Sequence, residues 1–167
     1  MTHQVKSGLK DYGGLIGAIA LCEAAGGLGA IWTSKSVREW YPALEKPSFN
    51  PPSWLFGPVW SMLYALMGAS AWLTWRDGTA RGAQSALRLF SIQLVLNTLW
   101  SFIFFRLRSP RWAFLEIIVL WAAIVMTLLA IWKISRLAGI LFLPYLLWTS
   151  FAVLLNFRLW RLNPEQR

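Results

Sequence analysis

Five long stretches of apolar residues, separated by short polar segments, dominate the chain. They cover residues 12–34, 53–75, 82–105, 112–132 and 137–157. A helix that crosses a membrane needs about 20 mainly apolar residues, and each of these stretches reaches that length. The pattern therefore predicts an all-α fold, an integral membrane bundle of five transmembrane helices that occupies residues 1–167 as a single domain.

The composition agrees with a membrane location. Of the 167 residues, 57% are hydrophobic and 14% are charged, whereas soluble domains carry about 25% charged residues. The net charge of +9 could suggest a nucleic-acid partner. However, the basic residues lie in short runs between the apolar stretches, as loops at a membrane surface do, so we expect no nucleic-acid binding. Cys22 is the only cysteine, which excludes an intrachain disulfide.

The loops differ slightly in positive charge. Five spans place the two termini on opposite faces of the membrane. The face with the N-terminus carries seven basic residues, among them Lys6 and Lys10, and the face with the C-terminus and the 1–2 loop carries nine, among them Arg167. Loops on the cytoplasmic side of a membrane carry an excess of lysine and arginine. The count therefore favours a cytoplasmic C-terminus and 1–2 loop.

Residues 35–52 form the one long loop, and proline is concentrated there and just beyond. The stretch WYPALEKPSFNPPSWLFGPVW, Trp40 to Trp60, holds five of the eight prolines and three tryptophans. Each proline fixes φ and removes a backbone donor, so the loop is expected to be stiff. Pro51 and Pro52 are suited to the start of the second helix. We call this loop the lid and expect it to cover the end of the bundle.

Polar and aromatic side chains recur on one face of several predicted helices. At a rise of about 1.5 Å per residue, most of them lie at similar depth beneath the lid. Polar groups inside spans are costly, and a few of them among apolar walls are typical of a ligand cavity. The sequence therefore predicts a cavity lined by helices 2 to 5. The candidate residues are Trp60 and Tyr64 on helix 2, Gln93, Asn97 and Trp100 on helix 3, Trp112 and Glu116 on helix 4, and Tyr145, Trp148, Ala152 and Asn156 on helix 5.

Several of these residues have an alternative interpretation. Gln93 and Asn97 are also suited to hydrogen bonds that hold membrane helices together. Glu116 could pair with Arg106, Arg108 or Arg111 at the helix end. Glu23 lies near the middle of helix 1 without an obvious partner; a protonated carboxyl group and a contact with Arg88 are both open.

Helix 1 carries a stripe of small residues at a spacing of four. The stripe consists of Gly14, Ala18, Cys22, Gly26 and Ala30. Small residues allow two helix backbones to approach closely. The stripe therefore indicates either packing within one bundle or a dimer interface.

Three segments carry a family resemblance: WYPALEKPSFNPPSWLFGPVWSMLY, QLVLNTLWSFIFF and LPYLLWTSFAVLLNFRLWRLN. They closely resemble the translocator protein family, TspO, also called tryptophan-rich sensory protein or peripheral-type benzodiazepine receptor. The resemblance extends from about Trp40 to Asn163 and points to a bacterial member in the cell membrane. It implies a homodimer of five-helix bundles that binds porphyrins such as protoporphyrin IX and haem beneath the 1–2 loop. The family's pocket positions fall on Trp40, Tyr41, Trp60, Asn97, Trp100, Tyr145, Trp148 and Ala152.

The chain departs from the family pattern at three positions. Phe157 stands where the cholesterol consensus of the animal members has tyrosine, which weighs against sterol binding. Phe49 stands in the lid where tryptophan is common. Glu23 matches no known family position.

These observations favour a membrane tetrapyrrole-binding protein that acts as a sensor or regulator, with porphyrin or haem as its ligand and membrane lipid around it. One alternative is light- or oxygen-dependent porphyrin breakdown with Trp60 and Trp148 as redox partners. Another is transport of porphyrin or sterol-like lipids. No hydrolytic machinery, metal site or required cofactor is indicated, and the only histidine is His3.

Overall fold

The computed structural model describes residues 2–165 and, from residue 12 onward, their side chains. The side chains of His3, Lys6, Lys10 and Arg167 lie outside this range. Residues 2–165 form five long helices with two short helical turns between them. The helices are α1 (Thr2–Glu39), α2 (Ser53–Asp77), α3 (Ala80–Ser101), α4 (Pro110–Trp132) and α5 (Arg136–Leu162), and the turns are a 3₁₀ turn (Tyr41–Ala43) and a π-helical turn (Phe102–Arg106).

Four of the described helical segments are long and apolar enough to cross a membrane. They are Tyr12–Glu39, Ala80–Arg106, Pro110–Trp132 and Arg136–Leu162. The helix α2 has the length but a lower hydropathy, because its tryptophans, glycines and serines are less apolar than leucine or isoleucine. The all-helical architecture is therefore confirmed.

Helix α1 is longer than the sequence predicted. It continues through the charged residues Lys35, Arg38 and Glu39, whereas the prediction ended it at residue 34. Charged residues mark the point where a chain leaves an apolar environment, but they are also good helix formers. The lid therefore comprises residues 40–52 and not 35–52. Helix α5 runs past its predicted end at residue 157 to Leu162 for the same reason.

The packing of the helices leaves α1 and α4 on opposite sides of the bundle. Helix α1 packs against α2 and α3, helix α4 packs against α3 and α5, and α2 packs against α5. The main core lies between these helices, around Met67, Ile124 and Phe142, which are fully buried. The helices therefore follow one another around the bundle in the order α1, α2, α5, α4, α3, so that α4 lies between α3 and α5.

The small residues of α1 pack within the bundle. The ring of Trp72 lies against Gly14, and the ring of Tyr64 lies against Gly26. From the other side, Gly68 of α2 lies so close to α1 that a Cβ atom on it would be 2.5 Å from the Cα atom of Ile19. Glycine on both helices therefore lets the two backbones approach, which is the first of the two interpretations of the stripe.

A cavity under the lid

A cavity of about 320 Å³ lies between α1, α2, α3 and α5, beneath the lid. This volume is at the lower end of the range for ligand cavities, about 300–1,000 Å³. The walls are mainly apolar and aromatic. Seven of the predicted residues line it: Tyr41, Trp60, Tyr64, Trp100, Trp148, Ala152 and Asn156.

Aromatic rings form most of the walls on α2, α3 and α5. The ring of Trp60 lies 5.5 Å from that of Tyr64, at an interplanar angle of 31°. The π-helical turn brings Phe104 under Trp100, where the two rings stack at 5.2 Å. On α5, Trp148 lies 5.6 Å from Phe151. These distances are typical of favourable aromatic pairs, so the rings hold one another in fixed orientations.

A hydrogen-bonded network lies directly behind the cavity wall. The hydroxyl group of Tyr64 donates to Oδ1 of Asn97 at 2.5 Å, and Nδ2 of Asn97 donates to the hydroxyl oxygen of Tyr145 at 3.1 Å. Asn97 and Tyr145 are buried and do not line the cavity. They fix the ring of Tyr64, which does. For Asn97, the structure thus supports the alternative that it joins helices.

A second amide links the cavity to α4. The indole nitrogen of Trp100 donates to Oδ1 of Asn156 at 3.0 Å. Nδ2 of Asn156 in turn donates to the carbonyl oxygen of Pro110 at 2.8 Å. Asn156 therefore orients Trp100 and ties α5 to the start of α4.

Gln93 lies away from the cavity. It is fully buried, and neither its Oε1 nor its Nε2 atom has a hydrogen-bond partner among the described residues. Its predicted role as a ligand-binding residue thus has no support from its position.

The prediction that helix 4 lines the cavity is wrong. Trp112 is 58% exposed on the outer surface of α4, and Glu116 is absent from the cavity walls. The two oxygen atoms of the Glu116 carboxyl group are buried and have no hydrogen-bond partner among the described residues, so the predicted pairing with arginine is also wrong. Spacing along a helix shows which residues share a face, but not which neighbouring helix that face meets.

Helix α1 supplies the wall that the prediction assigned to helix 4. Glu23, Gly26, Gly27, Ala30, Thr33 and Val37 line the cavity from this side. Most of these residues have small side chains, which carry no aromatic or amide signal in the sequence. The charge of Glu23 within an apolar stretch was the one sign that could have identified this wall.

The lid is fastened to the bundle at several points. Trp40, predicted as a pocket residue, packs its ring edge-on against Phe104 at 5.6 Å and does not line the cavity. Within the lid itself, the hydroxyl group of Tyr41 donates to Oδ1 of Asn50 at 2.6 Å. The side chain of Asn163, just past α5, makes two hydrogen bonds to the backbone of Glu45, each 2.9 Å long. The lid is therefore closed over the cavity in this structure.

Tyr41 lines the cavity, and Lys46 of the lid lies beside the Tyr41 ring. Burial raises the pKa of Tyr41 to about 12, although its hydrogen bond with Asn50 acts in the opposite direction. The Lys46 ammonium group lies 5.3 Å from the centre of the Tyr41 ring. It also donates to the carbonyl oxygens of Pro42 and Leu44. The lid thus holds the Lys46 charge in a fixed place beside Tyr41, although Lys46 itself does not line the cavity.

Long apolar helices around an aromatic cavity, closed at one end by a fastened loop, define an integral membrane protein with an internal cavity. The model of the TspO/MBR family matches residues 18–161. The chain belongs to the TspO/MBR family, and the resemblance seen in the sequence is confirmed.

Relatives of the chain come from distant organisms. The tryptophan-rich protein TspO of Chlorobaculum tepidum is 43% identical over 147 residues, 87% of this chain and 93% of that protein. The tryptophan-rich sensory protein of Cereibacter sphaeroides is 38% identical over 152 residues, 89% and 92% of the two chains. The translocator protein of Bos taurus is 34% identical over 154 residues, 91% of each chain.

Proposed function

We propose that the protein is a membrane sensor or regulator that binds a tetrapyrrole, porphyrin or haem, in the cavity under the lid. The observation that carries this proposal is the set of aromatic walls formed by Trp60, Trp100 and Trp148 around one elongated space. A flat conjugated ring gains most from stacking on such faces. The sensory name of the relative from Cereibacter sphaeroides supports a regulatory role.

The orientation of the ligand follows from the charges around the cavity. Glu23 is the one charged residue among the lining residues, and it lies at the end of the α1 wall farthest from the lid. The propionate groups of a porphyrin are therefore repelled from that end and attracted towards the lid, where Lys46 lies beside Tyr41. Because a cavity of about 320 Å³ is small for a drug-sized ligand, we expect the lid to move outward when a whole tetrapyrrole binds.

The cavity does not suit axial ligation of haem iron. Its lining residues include no histidine, cysteine or methionine. Tyr41 is kept neutral by its raised pKa, and the hydroxyl group of Tyr64 is already bonded to Asn97. We therefore predict that metal-free protoporphyrin IX binds at least as tightly as haem, as measured by parallel titrations. Haem affinity more than about 10-fold higher would contradict this account of the cavity, since that preference needs a ligand to the iron.

The binding experiment is a titration of purified protein with protoporphyrin IX in the dark and without oxygen, followed by tryptophan fluorescence. We expect saturable quenching, and we expect Trp148→Leu to weaken the affinity by about 3- to 10-fold, as loss of an aromatic contact does. The matched control is Trp112→Leu, which removes an exposed tryptophan from α4 and should leave the affinity unchanged. Quenching that never saturates, or that both variants weaken equally, would show adsorption to the surface of the protein.

Porphyrin breakdown is a second candidate, and one observation favours it. Trp60 lies 5.5 Å from Tyr64 and 6.3 Å from Tyr145, ring centre to ring centre. Trp60 can give one electron to a light-excited porphyrin and regain it from the two tyrosines behind it. The porphyrin radical anion formed in this way then adds oxygen, which is the oxidant for breakdown of the ring. The test is illumination of the bound complex in air. A new absorbance product that is lost in Trp60→Phe while binding remains would favour breakdown, and an unchanged porphyrin spectrum would exclude it.

All five helices are proposed to cross the membrane. The helix α2 packs against both α1 and α5 and has the length of a span. Its lower hydropathy reflects tryptophan, glycine and serine residues, of which Trp60 and Ser61 line the cavity. Five spans place the termini on opposite faces, and cysteine labelling of each terminus from outside intact cells tests this. We also propose a homodimer, a cytoplasmic C-terminus and location in a bacterial cell membrane, and cross-linking in native membranes tests the dimer.

A further inference from the structure

Glu23 is an uncompensated acid at the inner end of the cavity, the end farthest from the lid. It is 14 residues before Val37, the last residue of α1 in the lining, which corresponds to about 21 Å along the helix. Among the residues that the structure describes, the one ion pair joins Arg76 to Asp77. Glu23 makes no side-chain hydrogen bond within this part of the chain, and Arg88, the partner considered from the sequence, is exposed.

The polar group of Tyr64, which lines the same cavity, does not neutralise this acid. The single hydroxyl proton of Tyr64 is donated to Asn97, so it is unavailable to the carboxylate. An ionisable residue within a membrane span is costly and normally marks a functional site.

The surroundings of Glu23 favour a positive partner. The faces of aromatic rings are negative and attract ammonium groups, above all when water is excluded. Trp60 and Tyr64 present such rings on the wall of the same cavity. A carboxylate accepts hydrogen bonds only, and it repels an anionic group, so the group that complements this end is an N–H donor with positive charge.

We propose that the cavity binds an apolar organic amine, with the ammonium group at Glu23 and the apolar body along the tryptophan walls. The proposal deepens the proposed function, since it rests on ligand binding in the same cavity, but it does not require that the ligand be a tetrapyrrole. Glu23 would select ligands by the charge of the group that reaches the inner end of the cavity. No other lining residue can do this, because all the others are uncharged.

The test compares two ligands that differ in one group, naphthylbutylamine and naphthylbutanol, by calorimetric titration in detergent at pH 7. The amine is protonated at this pH, as a lysine side chain is. We expect the wild-type protein to bind the amine at least about 10-fold more tightly than the alcohol, as a charge-assisted hydrogen bond implies. Equal affinities for the two ligands would overturn the proposal.

Three variants then test whether Glu23 causes the preference for the amine over the alcohol. Glu23→Gln should remove the preference for the amine by weakening amine binding about 10-fold. Binding of the alcohol should stay within about 2-fold of the wild type, which also shows that the variant is folded. Glu23→Asp should keep part of the preference because it retains the charge. The matched control Glu39→Gln removes an exposed acid at the end of the same helix and should behave as wild type. A preference that survives in Glu23→Gln, or that is lost equally in Glu39→Gln, would overturn the assignment.

The same samples separate this inference from the proposed function. Protoporphyrin IX is titrated into each variant as described above. If the amine binds through Glu23 and protoporphyrin IX does not saturate, the inference is supported and the tetrapyrrole proposal fails. If protoporphyrin IX binds and the amine shows no preference over the alcohol, the inference fails and the tetrapyrrole proposal is unaffected.

Discussion

Replacing Gly26 by alanine is expected to destabilise the bundle, whereas the same replacement at the adjacent Gly27 is not. A Cβ atom on Gly26 would lie 2.3 Å from Cε2 and 2.5 Å from Cδ2 of Tyr64. Favourable carbon contacts need about 3.5–4.0 Å. The added methyl group therefore requires the tyrosine ring or helix α1 to move. On Gly27, a Cβ atom would meet no atom within 4 Å.

Tyr64 has little freedom to move away from this clash. Its ring lies against that of Trp60 at 5.5 Å, and its hydroxyl group is bonded to Asn97. Overpacking of this kind costs about 1–3 kcal/mol. If the ring swings out, the buried oxygen of Asn97 loses its donor, at a cost of about 1–3 kcal/mol. The higher helix propensity of alanine relative to glycine offsets up to about 1 kcal/mol of this loss in unfolding free energy.

The two variants should therefore differ in unfolding free energy by about 2–4 kcal/mol, with Gly27→Ala at or slightly above the wild type. The assay is thermal unfolding of the purified proteins in one detergent, followed by circular dichroism. For a chain of this size, the gap corresponds to a difference in Tm of about 5–15 °C. Equal Tm values for the two variants would refute the close packing of α1 on Tyr64.

Three further predictions concern the network and the lid. Asn97→Leu leaves two tyrosine hydroxyl groups without their partner, so it should lower the unfolding free energy by about 2–4 kcal/mol in the same assay, and wild-type stability would contradict the network. Because the pKa of Tyr41 is raised to about 12 from about 10 in an unfolded chain, its contribution to lid closure is present below pH 10 and lost between about pH 10 and 12. Proteolysis of the lid should therefore accelerate in that range, and Tyr41→Phe should abolish this pH dependence. Asn163→Ala removes both hydrogen bonds to Glu45 and should accelerate lid proteolysis at pH 7 while the Tm changes by less than about 4 °C; an unchanged cleavage rate would show that this contact does not hold the lid.

The positions of the helices could be predicted from the sequence because hydropathy follows the membrane environment directly. The predicted start of the second helix at residue 53 coincides with Ser53, and the predicted end of the fourth at residue 132 coincides with Trp132. The end of α1 was missed, because Lys35 and Arg38 leave the apolar region without ending the helix. The π-helical turn was also missed, since nothing in the residues Phe102–Arg106 distinguishes π from α hydrogen bonding.

The cavity was only partly predictable, because a periodic pattern defines a face and not its neighbour. The rings of Trp60, Trp100 and Trp148 were correctly placed together, since each lies on a face with other aromatic or amide groups. Trp112 shows the same kind of pattern but faces outward. Its position depends on how α4 is rotated where it packs between α3 and α5, and that rotation is set by tertiary packing alone.

The uninterrupted course of α1 has a mechanical consequence. Glu23 and Glu39 lie on one helix, and the next residue, Trp40, begins the lid. A continuous helix transmits a tilt along its whole length, so a tilt at the inner end of the cavity would also move the lid. Since 16 residues span about 24 Å, a tilt of only about 5° around Glu23 displaces the lid by about 2 Å. For the proposed sensor, such a tilt would connect ligand binding deep among the helices with the position of the lid.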